Sequence, residues 1–137
     1  MNDNLATIGA IYEAFGKGDI PTILGHLADD VRWEEWADNT AQKAGVPWMQ
    51  ARHGKAGALE FFQVMGDRLQ VTEVSVLSLM AGGNQVAVEF VIACAVKGTG
   101  RRYRDEELHL WTLDDDGKVT RLRHYTDTAK HIAAAQG

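Results

Sequence analysis

Residues 82–100 read GGNQVAVEFVIACAVKGTG, an apolar run closed at each end by a turn. Gly82-Gly83-Asn84 is a hairpin signal, because a tight reversal needs left-handed backbone that glycine and asparagine enter at little cost. Lys97-Gly98-Thr99-Gly100 turns the chain again. Between them Val86, Val88, Phe90, Ile92, Cys94 and Val96 fall on one face of a strand. The other face is largely apolar as well, Glu89 excepted, so both sides are expected to be covered. Working outward, Val71–Met80 is rich in β-formers, Arg101–Leu113 is the next strand, Asp114-Asp115-Asp116-Gly117-Lys118 is a second hairpin turn, and Val119–Thr126 is the last strand. Four strands joined this way predict an antiparallel meander.

The first half is helical. Asp3 or Asn4 caps a helix whose apolar face is Leu5, Ile8, Tyr12 and Phe15, and Asp19 caps a second with Pro21 in its first turn. Val31–Trp36 alternates like a short strand, residues 37–53 show no period, and Leu59, Phe62, Met65 and Leu69 mark a third helix. A short helical tail is expected from Asp127 to Ala135. Helices segregated from a meander make an α+β fold. Three helices on a strongly curved antiparallel sheet would form a cone with an open mouth.

A chain of 137 residues and 15.1 kDa is the size of one domain, 1–137. Net charge of -5 without a dense basic cluster argues against nucleic acid as a partner. The single Cys94 forbids an internal disulfide, Met1-Asn2-Asp3-Asn4 has no basic region before an apolar run, and no stretch approaches the ~20 residues of a bilayer span. A cytoplasmic protein with no membrane partner is expected. Glu107-x-His109 with His124 and His53 matches no strong metal spacing, so neither metal nor cofactor is expected. The rings of Trp33, Trp36, Trp48, Phe61, Phe62, Phe90, Trp111 and Tyr125 are more than a small core readily buries, and several lie near His53, His109 or His124. That inventory predicts an apolar cavity with a few convergent polar groups, suited to a small hydrophobic molecule.

Ile11-Tyr12-Glu13-Ala14-Phe15, Gly18-Asp19-Ile20 and Leu27-Ala28-Asp29-Asp30-Val31 resemble the opening of the SnoaL-like and ketosteroid-isomerase-like branch of the nuclear transport factor 2 superfamily. Asp116-Gly117-Lys118-Val119 and Arg123-His124-Tyr125-Thr126-Asp127-Thr128 resemble its closing hairpin and terminus. The resemblance implies the cone fold and, as in many relatives, a homodimer through the outer sheet face. It leaves the reaction open among isomerases, cyclases, dehydratases, epoxide hydrolases and proteins with no catalysis.

By that resemblance the isomerase base falls at Glu35, five residues after Asp30. Alternation puts Glu35 on the face of Trp33, where burial would raise its pKa. The isomerase oxyanion donor falls at His109, eight residues before Gly117, where histidine can donate a hydrogen bond or act as the acid. The isomerase tyrosine falls at Ala10, on another face from Tyr12, which argues against steroid isomerisation. Asp127 resembles the water-activating aspartate of limonene-epoxide hydrolases, but capping of the tail helix explains it better. The catalytic candidates are therefore Glu35, His109 and Asp127. Trp33, Trp36, Trp48, His53, Phe62, Trp111, His124 and Tyr125 are the candidates for shaping the ligand site. The expected function is cofactor-independent acid–base chemistry (isomerisation, cyclisation or dehydration) on a small hydrophobic carbonyl compound. The alternatives are a non-catalytic ligand-binding or adaptor protein and an epoxide hydrolase.

Overall fold

A computed structural model describes residues 3–34, 36 and 38–136. Helix α1 (Asn4–Gly16) is capped by Asp3, whose carboxylate accepts from the Ala6 N–H at 3.0 Å. Helix α2 (Ile20–Gly25) is capped by Asp19. The chain then runs through β1 (Leu27–Trp33), α3 (Thr40–Lys43), a 3-10 turn (Pro47–Met49), β2 (Arg52–His53) and α4 (Gly54–Arg68). The meander is β3 (Leu69–Gly82), β4 (Gln85–Val96), β5 (Arg102–Leu113) and β6 (Val119–Tyr125), and α5 (Thr128–Ala135) ends the chain. The six strands form one curved, unclosed sheet in the order β2-β1-β6-β5-β4-β3.

Both predicted hairpins are present, and each uses a glycine with positive φ, Gly83 at 59° and Gly117 at 76°. Asp114 Oδ1 closes the second by accepting from the Asp116 and Lys118 N–H groups, both at 2.9 Å. The predicted face of β4 is buried throughout, at Val86, Val88, Phe90, Ile92, Cys94 and Val96, and Val91 on the opposite face is buried as well. Burial pushes the Cys94 thiol up to about 11, as befits an unreactive core residue.

Three expectations are corrected. The sheet is mixed, because β1 pairs parallel with β6, setting Arg32 against Arg121 and Trp33 against Leu122. A parallel partner lies across a long crossover, which local pattern cannot show. The aperiodic residues 37–53 hold α3, the 3-10 turn and β2, and they bury Val46, Trp48 and Met49 in the core. Leu69 opens β3 instead of closing α4, so the third predicted helix ends one residue earlier. No helix among the described residues is long and apolar enough to cross a membrane.

Candidate active site

Helices α1 and α4 cover the inner face of the sheet and leave a cavity of about 80 Å³. By a measure in which one water needs roughly 10–15 Å³, that is room for a small apolar group. Its wall is aromatic. Trp33 lies 5.5 Å from Phe61, 5.6 Å from Phe62 and 5.8 Å from Trp111, centroid to centroid. Glu34, His109, His124 and His131 also line the cavity.

These groups are organised by the inward row of β5, where Tyr103, Asp105, Glu107, Trp111 and Leu113 are buried. His124 on β6 sits between two buried carboxylates, its Nδ1 2.7 Å from Glu34 Oε1 and its Nε2 2.6 Å from Glu107 Oε1. Burial disfavours the imidazolium, but the facing Glu34 and Glu107 charges and their hydrogen bonds hold His124 well above the usual histidine range. Burial likewise works against the Glu107 carboxylate. The His124 charge and the hydrogen bonds from His124 and His131 nevertheless keep its carboxyl well below the usual range. Both His124 nitrogens therefore donate, and the cation is fully engaged. Beyond Glu107, the indole N–H of Trp48 donates to His131 Nδ1 at 2.9 Å, so the His131 proton lies on Nε2, 2.7 Å from Glu107 Oε2.

A second chain ends at His109. An indole can only donate, so Trp111 Nε1–H gives its proton to the Tyr12 hydroxyl at 3.0 Å. Tyr12 in turn donates to His109 Nδ1 at 2.5 Å. Burial holds the Tyr12 phenol well above its ordinary value, so it stays a donor. Burial and the neighbouring His124 charge hold His109 well below the usual range, against the opposing pull of Glu107. His109 is thus neutral with its proton on Nε2, an atom with no hydrogen-bond partner among the described residues.

The family model described as a SnoaL-like domain matches residues 8–122. The chain belongs to the SnoaL-like family. An NTF2-like protein of unknown function from Burkholderia pseudomallei superposes with a TM-score of 0.85 at 22% identity, over 100% of both chains. TerC, crystallised with polyporic acid, superposes at 0.81 with 23% identity over 99% of this chain and 100% of its own. A proposed SnoaL-like polyketide cyclase from Mesorhizobium loti superposes at 0.69 with 26% identity over 88% of this chain and 96% of its own. No curated protein matches.

On this SnoaL-like frame the expected site residues separate. Trp33, Trp48, Phe62, His109, Trp111 and His124 line the cavity. Glu35 lies outside the described residues. Asp127 does not face the cavity: it is exposed and caps α5, its Oδ1 accepting from the Ala129 N–H at 3.2 Å. His53 is exposed at the end of β2. Tyr125 is 38% exposed and packs on Trp36 at 4.6 Å, outside the main cavity. Trp36 lines a separate, more open cleft together with His124 and Thr126. Alternation at the end of β6 turns His124 inward and Tyr125 away from the interior.

Four residues of the candidate site escaped the sequence reading. Glu34 has a left-handed backbone, φ 59°, where β1 ends. Its N–H donates to the Leu122 carbonyl at 2.9 Å and its own carbonyl accepts from Gln42 Nε2 at 2.8 Å. That conformation, costly for a non-glycine, breaks the alternation, so both Trp33 and Glu34 line the cavity. Tyr12 reaches His109 although the family tyrosine falls at Ala10 by count. Glu107 and His131 carried only hints, a charged residue in an inward row and a histidine in an amphipathic tail.

Asp105, Glu107 and His131 each bring one ligand atom to within 4.8 Å of the others and could hold a metal. The Thr126 hydroxyl lies among them, 2.5 Å from Asp105, 2.8 Å from Glu107 and 2.9 Å from His131. A cation there would have to break those hydrogen bonds.

Proposed function

We propose that this SnoaL-like protein is an acid–base enzyme that needs no cofactor and abstracts a proton beside the carbonyl of a small, uncharged hydrophobic compound. The supporting observation is that a buried carboxyl, Glu34, and a neutral imidazole, His109, line one apolar cavity. Glu34 is 3% exposed, its Oε1 is engaged by His124, and its Oε2 has no hydrogen-bond partner. A buried carboxylate oxygen left free is uncommon and points to a proton or donor it awaits. His109 Nε2–H would stabilise the oxyanion as Glu34 removes the proton. The SnoaL-like polyketide cyclase neighbour supports chemistry of this type.

The test is deuterium wash-in from D2O into 2-tetralone, a flat hydrophobic ketone, followed by NMR. Exchange well above the buffer rate is expected at catalytic protein concentration. Saturable binding with exchange at the buffer rate would sink the enzyme reading and leave a ligand-binding protein.

The second copy of this chain is the partner we propose for the outer sheet. Val76, Leu77 and Met80 on the terminal strand β3 are 45%, 55% and 56% exposed, an apolar edge that soluble monomers seldom leave bare. Light scattering after size exclusion should report a dimer, and a clean species of 15.1 kDa would refute it.

A further inference from the structure

In a chain of net charge -5 the start of β5 is locally basic, residues 101–104 reading Arg-Arg-Tyr-Arg. Arg101, Arg102 and Arg104, with Lys130 from α5, line an open cleft of about 530 Å³, and no acidic residue is among the described residues lining it. Its remaining wall is Tyr103, Ala133 and Ala134. Alanine at both helix positions leaves open a space that longer side chains would fill. The turn ahead of Arg101 is fixed to the helix, because the Thr99 hydroxyl donates to the Ala134 carbonyl at 2.9 Å and accepts from the Arg101 N–H at 3.2 Å. Lys130 Nζ is held by the Arg104 carbonyl at 3.0 Å and by Asp105 Oδ1 at 3.4 Å, and Arg104 Nε reaches Glu73 at 3.3 Å. Arg101 and Arg102 are exposed and face no carboxylate among the described residues, whereas Lys17, Lys43, Arg52 and Lys55 each have one. Like charges along one cleft repel each other and concentrate an anion there. Tyr103 is the one described residue that lines both this cleft and the aromatic cavity, so the two are separate sites.

We propose that this cleft is a second binding site, one that takes a small phosphate monoester. Arg101 and Arg102 hold the phosphate with Lys130 as a third cation, and the organic part of the ligand lies on Ala133 and Ala134. A phosphate monoester brings nearly two charges at neutral pH and three acceptor oxygens. Each guanidinium fork matches two such oxygens, so the pair of unengaged arginines is used in full. A carboxylate brings one charge and two oxygens and would leave one arginine without a partner. The basic surface is confined to this cleft on an acidic chain, which favours a small ligand over a long polyanion, since the latter would meet the surrounding negative field. The acid–base reading of the aromatic cavity is not needed for this site.

The experiment is calorimetric titration with phenyl phosphate, benzoate and inorganic phosphate in a low-salt buffer free of other phosphate. Wild-type protein should bind one phenyl phosphate about tenfold more tightly than benzoate, the lower end for one added hydrogen bond to a charged group. Inorganic phosphate, which lacks the organic part, should bind more weakly than the ester. The double variant Arg101→Gln/Arg102→Gln alters only exposed side chains and should lose about tenfold or more in phenyl phosphate affinity. Lys17→Gln/Lys43→Gln removes the same charge outside the cleft and should leave that affinity nearly unchanged. In 15N-labelled protein, phenyl phosphate should shift the amide resonances of Thr99 and Arg101 and leave the Trp33 indole in place. Equal affinity for benzoate or for inorganic phosphate, equal losses in the two double variants, or unmoved Thr99 and Arg101 amides would each overturn the proposal. None of these readouts uses exchange into 2-tetralone, so the acid–base reading stands or falls separately.

Discussion

Replacing His124 by leucine is expected to cost about 3–5 kcal/mol of stability at pH 7, read by chemical denaturation, because it strips the cation from between two buried carboxylates. Glu34 and Glu107 are each 3% exposed, and Oε1 of each is engaged by His124. Leucine fills the space but cannot donate. The pH dependence separates this loss from ordinary misfit. In the wild type, the depressed Glu107 stabilises above its ordinary value of 4.5 and loses that contribution as pH falls below it. His124, raised above 6.5, contributes fully below that value and loses its contribution as pH climbs through its folded pKa. His109, lowered from 6.5, stays neutral while the unfolded chain takes up a proton, so it costs stability as pH falls below 6.5. From these three groups the wild type should be most stable near pH 6.5. The His124→Leu variant should instead gain stability toward mild acid, since protonation relieves its unpaired carboxylates. An unchanged optimum in that variant would refute the ion-pair description.

Glu34→Gln is the second large effect. It should lower deuterium exchange into 2-tetralone by roughly 10²–10⁴-fold, the contribution of one positioned general base. The amide oxygen can still accept from His124 Nδ1, so the hydrogen bond survives while the base does not. Ketone affinity should therefore change little, and the loss should appear in the rate of exchange at saturation. A variant that exchanges at the wild-type rate would move the base elsewhere, with Glu35 the next candidate. The imidazolium is His124, and His109 is neutral, held so by burial and the His124 charge.

Much of the fold was legible because its signals are local. The hairpins at Gly83 and Gly117 follow from residues that tolerate positive φ, and the caps at Asp3 and Asp19 from side chains one turn from the N–H groups they accept. Alternation in β4 and β5 placed the core face, and with it His109 and Trp111. The family followed from short motifs at the two ends, and the match over residues 8–122 bears it out.

Only the tertiary structure decided the site's charges and its base. Counting along the chain led to Glu35, because alternation assumes a regular strand. The left-handed turn at Glu34 is stabilised by Leu122 and Gln42, which are distant in sequence, and it brings Glu34 to the cavity beside Trp33. The charge of His124 depends on Glu34 ninety residues before it, and the tautomer of His131 on Trp48, eighty-three residues before. Asp127 shows the converse: its capping role is local and could be weighed from sequence, whereas its exclusion from the cavity needed the course of β6. Backbone preference acts over one turn or one strand and is written in the sequence. Protonation states and unpaired atoms depend on which groups the fold brings within about 3 Å, and that is decided only when the sheet and helices close on each other.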